Sequence, residues 1–310
     1  MIKTIKKLQQ FGVMGINQRN AGYILAYNKR SLFPLVDDKF QTKIIAKKAG
    51  VPTPELYALI EIQHQIREFF EFIKGYKNFV IKPARGSGGE GILVISGKVK
   101  NYFRKSSGSL LTEKDLERHI SMILGGAYSL GGHPDSAIVE YEVQFDPIFK
   151  KISYLGVPDI RIIIFKGVPV MSMVRLPTKM SDGKANLHQG AVGAGVDIKT
   201  GKTIGGVWKN QRIDEHPDTG ESIIDLQIPN WDNLLLLASK AYEMTDLGYI
   251  GVDLVLDRDL GPLLLELNAR PGLNIQIANN QGLIHKLEKI EKNLPKGLTP
   301  EERIEFAKAL

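Results

Sequence analysis

GVDLVLDRDLGPLLLELNARPG, residues 251–272, decides how this chain is read. Two apolar runs flank the turn-forming residues around Asp259-Leu260, which predicts an antiparallel hairpin. A turn centred there sets Asp253 opposite Glu266 across the ladder, and Asn268, two residues on, shares the face of Glu266. Three oxygen donors then converge on one side of a sheet that is otherwise Leu, Val and Ile. Carboxylates among apolar residues require a compensating cation. Two carboxylates and an amide suit Mg²⁺, which keeps water and phosphate oxygens as its other ligands. A solvent-facing polar strip is the alternative, and the ELNARPG continuation speaks against it.

Upstream, DIRIIIFKGVPVMSMVR (residues 159–175) predicts a second hairpin turning at Lys166-Gly167. Arg161 and Arg175 then sit on neighbouring strands, where two guanidinium groups could face one anionic intermediate. Lys184, Asn186 and His188 follow in GKANLHQG. A lone histidine is more often a structural hydrogen-bonding group than a catalytic one.

Further upstream, FVIKPARGSGGEG (residues 79–91) carries Gly86, Gly88 and Gly91 in a G-x-G-x-x-G spacing. A dinucleotide-binding loop would open a helix, whereas here the strand-like ILVI follows. The context is a glycine loop between antiparallel strands, able to lay backbone N–H groups over phosphates, with Lys82 just before it. A flexible turn beside a surface lysine fits the same residues, and the residues alone do not choose. GVDIKTGKT only imitates a P-loop: five residues, not four, separate Gly195 from Gly201, and the segment reads as another hairpin.

Helices are expected after Asp37 or Asp38, ended by Gly50 and VPTP, over EIQHQIREFFEFIKG, after Thr112, over 231–247, and after Thr299. AIVEYEVQF is expected as a strand. Helices alternating with antiparallel hairpins predict an α+β architecture. The 310 residues leave room for two subdomains, and a hydrophobic fraction of 43% with 24% charge is that of a globular protein. No apolar run is long enough to span a membrane, no secretory signal is present, and the cytoplasm is the expected compartment. Absence of cysteine excludes disulfides and thiol nucleophiles. Of the net charge of +7, residues 1–48 hold ten Lys or Arg against Asp37 and Asp38. Asn17, Arg19, Asn20, Asn28 and Arg30 either supply part of a substrate site or form a solvated arm, and the arm is the expectation adopted here. No nucleic-acid-binding pattern is present.

Taken in order, Asp38-Lys39, VIKP with its glycine loop, IVEYEV, DIR, KANLHQG, GVD and LELNARPG resemble the ATP-grasp superfamily over roughly residues 37–285. In detail they are similar to the glutamate ligases that modify ribosomal protein tails, in the subgroup described as alpha-L-glutamate ligase-related. The resemblance implies an ATP-grasp fold: two α/β subdomains with antiparallel sheets gripping ATP between them, here without a full N-terminal pre-ATP-grasp domain. The implied division is a basic segment 1–36, a lid subdomain 37–142, a C-terminal subdomain 143–290 and a closing helix 291–310.

Carried over, the resemblance gives the nucleotide phosphates to Lys39 and Lys82, covered by Gly86, Ser87, Gly88, Gly89 and Gly91. Adenine falls to the hinge Glu140, Tyr141, Glu142 and Val143, and the ribose to Asp146. Asp253, Glu266 and Asn268 become metal ligands for two Mg²⁺ ions, which Mn²⁺ could replace. Arg161, Arg175, Lys184 and Asn186 surround the transferred phosphate, Lys184 standing where the glutamate ligases usually have arginine. The implied activity is ligation of a carboxylate to an amine through an acyl phosphate, with glutamate or a related amino acid joined to a small-molecule or peptide acceptor. Phosphorylation or activation of another substrate, or ATP binding without catalysis, are the rival outcomes. Homo-oligomerisation is compatible with the sequence; nucleic acid is not an expected partner.

Overall fold

The computed structural model describes residues 7–86 and 88–310. The chain divides into two compact units. The smaller comprises Asp38–Phe40 and Thr53–Gln144; the larger comprises the described residues up to Asp37, then Gln41–Pro52 and Phe145–Leu310.

The smaller unit contains β1 (Leu56–Ile60), β2 (Phe79–Pro83), β3 (Leu93–Val99), β4 (Tyr102–Lys105), β5 (Leu110–Leu111) and β6 (Ala137–Glu140). They form an antiparallel sheet in the order β1-β6-β2-β3-β4-β5. Two helices cover it because their apolar residues recur at helical spacing. The helix Gln65–Phe72 buries Ile66 and Phe69; the helix Glu113–Leu124 buries Leu116, Ile120 and Ile123. Thr112 starts the latter with a capping box, its Oγ1 accepting from Asp115 N–H and Asp115 Oδ2 accepting from Thr112 N–H, a device that stabilises a helix by about 1 kcal/mol. The strand expected over AIVEYEVQF stops at Glu140, because Tyr141 N–H turns to Glu55 O beyond the regular ladder.

The larger unit is built on an antiparallel sheet: β7 (Asp159–Phe165), β8 (Val168–Leu176), β9 (Val192–Val196), β10 (Lys202–Trp208), β11 (Gln211–Ile213), β12 (Ile224–Gln227), β13 (Tyr249–Asp257) and β14 (Gly261–Asn268). Their order is β11-β10-β9-β8-β7-β13-β14, with β12 against β10. The hairpin β7–β8 turns at Lys166-Gly167, both in the left-handed region. The helix expected over 231–247 is two helices, Trp231–Ser239 and Ala241–Thr245, meeting at Lys240. The terminal helix Pro300–Lys308 packs on its own core through Ile304 and Ala307, behind a Thr299–Glu302 capping box. Among the described residues no helix is long and apolar enough to cross a membrane.

The N-terminal segment meets the expectation of a solvated arm only in part: Asn17, Asn20 and Arg30 are exposed, but the chain that carries them is packed on the core. Met14, Tyr23, Ile24, Asn28 and Val36 are buried in the larger unit. Tyr23 packs edge-on against Phe165 at 5.6 Å and tilts over Tyr249 at 5.8 Å. Asn28 accepts from Tyr249 N–H at 2.8 Å and donates to Tyr249 O at 2.6 Å and Ala269 O at 3.2 Å. A π-helical turn, Arg19–Ile24, inserts a residue into the helical period, which hides the buried face from a 3.6-residue pattern.

Candidate active site

Period-two alternation and strand register place six polar side chains on one face of four adjacent strands. Arg175 on β8 lies opposite Asp159 on β7; Arg161, two residues along β7, lies opposite Asp253 on β13. Asp253 lies opposite Glu266 on β14, and Asn268 follows two residues later. Arg161 and Asp253 form a bidentate pair, with Nε to Oδ1 at 2.6 Å and Nη2 on Oδ2. Arg175 holds Asp159 through Nε and, at 2.6 Å, Nη2, and the same Nη2 reaches Asp253 Oδ2 at 2.9 Å. Asn268 Nδ2 lies 3.3 Å from Asp253 Oδ2 and 3.4 Å from Glu266 Oε1.

The Asp253 side chain is only 1% exposed, and those of Arg161 and Arg175 are 12% and 13% exposed. Burial opposes both ionised carboxyls. In Asp253 it is outweighed by Arg161 and Arg175, which hold the carboxyl below its usual range. In Asp159 burial prevails over Arg175 and pushes the carboxyl up. Three carboxylates and two guanidinium groups thus meet on this face. No described residue accepts from Nη1 of either arginine, so each retains a donor edge.

The donors suit magnesium. Asp253 and Glu266 offer carboxylate oxygens, and rotation of the Asn268 amide by 180° would present Oδ1 where Nδ2 now lies. Among the described residues no three His, Cys, Asp or Glu gather as a complete cage, so phosphate and water would finish the coordination shell.

The remaining expected residues of this unit are Lys184, Asn186 and Asp146. Lys184 is exposed, its backbone N–H bonded to Ser181 O. Asn186 Oδ1 accepts from His188 N–H at 3.0 Å, starting the turn Leu187–Gln189. That turn lies beside the ladder: a Cβ on Gly193, opposite Arg175, would come within 2.8 Å of Leu187 Cδ2. Asp146 Oδ1 accepts from Ile148 N–H at 2.9 Å. Asp159 is the residue the sequence reading passed over, although its i, i+2 spacing from Arg161 already placed it on the same face.

In the smaller unit the glycine loop joins β2 to β3 as an antiparallel connection, with Ile81 opposite Leu93. Gly88, Gly89 and Gly91 have positive φ, and a Cβ on Gly91 would lie 2.6 Å from the Tyr128 ring. His119 Nε2 donates to Gly91 O at 2.9 Å, and Lys39 Nζ donates to Gly86 O at 2.6 Å. Ser87 lies outside the described residues. Lys82 forms an ion pair with Glu140, both side chains nearly inaccessible. The residues assigned to phosphate and adenine are thus bound to each other. Tyr141 anchors to Glu55 through its backbone, and Val143 follows the strand in irregular chain. Glu142 accepts from Asn78 Nδ2 at 2.9 Å, while burial pushes its carboxyl up.

The chain matches the family described as "Sugar-transfer associated ATP-grasp" over residues 18–292. It belongs to that family. The ATP-grasp fold expected from the sequence is therefore the fold of this chain. Cyanophycin synthetase of Crocosphaera subtropica is 25% identical over 320 residues, covering 91% of this chain. The match takes in 33% of that relative, so the chain spans about a third of its length. Among solved structures, D-alanine-D-alanine ligase from Helicobacter pylori has a TM-score of 0.49 and 18% identity, covering 84% of this chain and 62% of that one. The ATP-grasp ligase PsnB complexed with minimal precursor has a TM-score of 0.48 and 13% identity, covering 92% and 63%.

Proposed function

We propose that this ATP-grasp protein is an ATP- and magnesium-dependent ligase that activates a carboxylate as an acyl phosphate and passes it to an amine. The observation that carries this reading is the ladder Arg175–Asp159, Arg161–Asp253, Glu266 and Asn268, in which three acids and an amide share one sheet face with two Nη1 edges. A merely structural sheet would gain more by burying apolar residues at these positions.

In this reading Lys39, Lys82 and the loop Gly86–Gly91 hold the phosphates, Glu140–Val143 the adenine, and Asp146 Oδ2 the ribose. Asp253, Glu266 and Asn268 hold magnesium, which supplies neutralisation of phosphate charge and a fixed template for the transfer. A substrate carboxylate oxygen attacks the γ-phosphorus and ADP departs. The amine then attacks the acyl carbon, and phosphate leaves with the former carboxylate oxygen. Nη1 of Arg161 and Arg175 donate to the oxyanion formed in that step, already held in place by Asp253 and Asp159. The glycine loop excludes water from the mixed anhydride. Glutamate or a related amino acid is the proposed acid, and a small molecule or peptide the proposed acceptor. Lys184 and Asn186 are assigned to the transferred phosphate.

The test combines protein, ATP and Mg²⁺ with a panel of amino acids and peptides, with hydroxylamine as trap. Acid-dependent ADP and a hydroxamate are expected. ATP binding with no ADP from any acid would overturn the ligase reading.

A further inference from the structure

The N-terminal segment is folded onto the same sheet face that carries the ladder. Tyr249, Gly251 and Asp253 alternate along β13 without a break in register, so their side-chain positions share one face. Tyr23 packs on Tyr249. Pro271 lies over Gly251, where an added Cβ would come within 2.7 Å of Pro271 Cβ, and Gly251 is paired with Asn268. Arg19 Nη1 donates to Pro271 O at 2.9 Å. One alternation of the strand, about 7 Å, separates Gly251 from Asp253 of the ladder.

The Arg19 guanidinium is held by two neighbouring acceptors. Asn20 Oδ1 accepts from its Nε at 3.1 Å and its Nη2 at 2.8 Å, which with Pro271 O fixes the plane of the fork. Among the described residues no carboxylate pairs with it, as is also true of Arg30, Arg67, Arg104 and Arg118. Arg19 also opens the π-helical turn, a local device that re-aims side chains and recurs at functional sites.

We infer that Arg19 is a specificity-determining residue that binds a second anionic group, a carboxylate, on the acid whose other carboxylate is activated at the ladder. This inference rests on the ligase reading. It gives the N-terminal segment the part in substrate recognition that its place on the sheet allows, and it limits the favoured acids to dicarboxylates.

The test compares glutamate with glutamine, which have the same shape and differ in side-chain charge, in wild type and in Arg19→Gln. ADP formation with Mg²⁺-ATP gives the KM ratio, and the Tm rise caused by glutarate gives binding without turnover. A charge-assisted pair predicts a KM for glutamate raised about 10- to 100-fold in Arg19→Gln, with kcat and ATP affinity little changed. The glutarate Tm shift should vanish, and Arg19→Lys should restore part of the preference. An unchanged glutamate-to-glutamine ratio in Arg19→Gln, with ATP still turned over, overturns the inference alone. No acid-dependent ADP from wild type with any acid overturns the ligase reading and the inference with it.

Discussion

Asp253 faces Glu266 across the β13–β14 ladder because Leu265 is an extra residue in β14. The hairpin closes with Asp257 opposite Gly261, and a regular ladder from there would put Leu265 opposite Asp253. The irregularity between Asp253 and Leu254 replaces that leucine with Glu266 and brings the two carboxylates together. Glu266 is half-buried, whereas Asp253 is fully buried and bound by Arg161 and Arg175.

Glu266→Gln is therefore the cleaner probe of the metal site. It should lower ADP formation by at least about 100-fold while leaving Tm within a few degrees of wild type. Steady-state kinetics with parallel thermal unfolding provides the check. Asp253→Asn, by contrast, should also destabilise, because Arg161 and Arg175 lose their shared counter-charge.

Lys82 and Glu140 make a second charged pair whose burial has a measurable consequence. Lys82→Met removes the ammonium paired with Glu140 in a nearly inaccessible site and should cost about 3–5 kcal/mol. Adding Glu140→Gln should recover most of that stability, because the buried carboxylate charge is gone, without recovering ATP affinity. Urea unfolding and nucleotide titration of single and double variants separate the two effects.

Gly91→Ala combines a left-handed backbone with a clash against Tyr128. The backbone alone costs about 1–2 kcal/mol. Weaker binding of a non-hydrolysable ATP analogue and a lower Tm are expected, measured by calorimetry and thermal unfolding.

The Asp159 carboxyl, raised by burial from 3.8 to about 6, gives a pH signature. Between those values the folded chain holds a proton that the unfolded chain releases, so this group's contribution to stability falls as pH rises from about 4 to about 6. Asp159→Asn removes that decline. The stability difference, wild type minus variant, should therefore decrease across this interval in denaturant titrations. A difference that increases would contradict the assignment.

Much of the fold was legible because hairpins and caps are local. Lys166-Gly167 marked its turn and Thr112 its helix start, and both stand where the sequence put them. The pairing of Asp253 with Glu266 was expected from a turn centred on Asp259-Leu260; the chain reaches the same pair by a three-residue turn and a bulge. The packing of residues 14–36 was not legible, since the π-helical turn breaks the period and Asn28 is held by Tyr249 and Ala269, more than two hundred residues away. The pairing of Lys82 with Glu140, and the support of Arg175 by Asp159, depend likewise on strand neighbours that composition does not disclose.

The central claim is that a carboxylate is activated by phosphoryl transfer, and oxygen tracing tests it most directly. The acid that supports ADP formation is supplied with ¹⁸O in its carboxylates, and the inorganic phosphate is analysed by mass spectrometry after a single turnover. One ¹⁸O atom in the phosphate is the predicted result, because the leaving phosphate carries the former carboxylate oxygen. Amide product with unlabelled phosphate, or label appearing in AMP, would contradict the account.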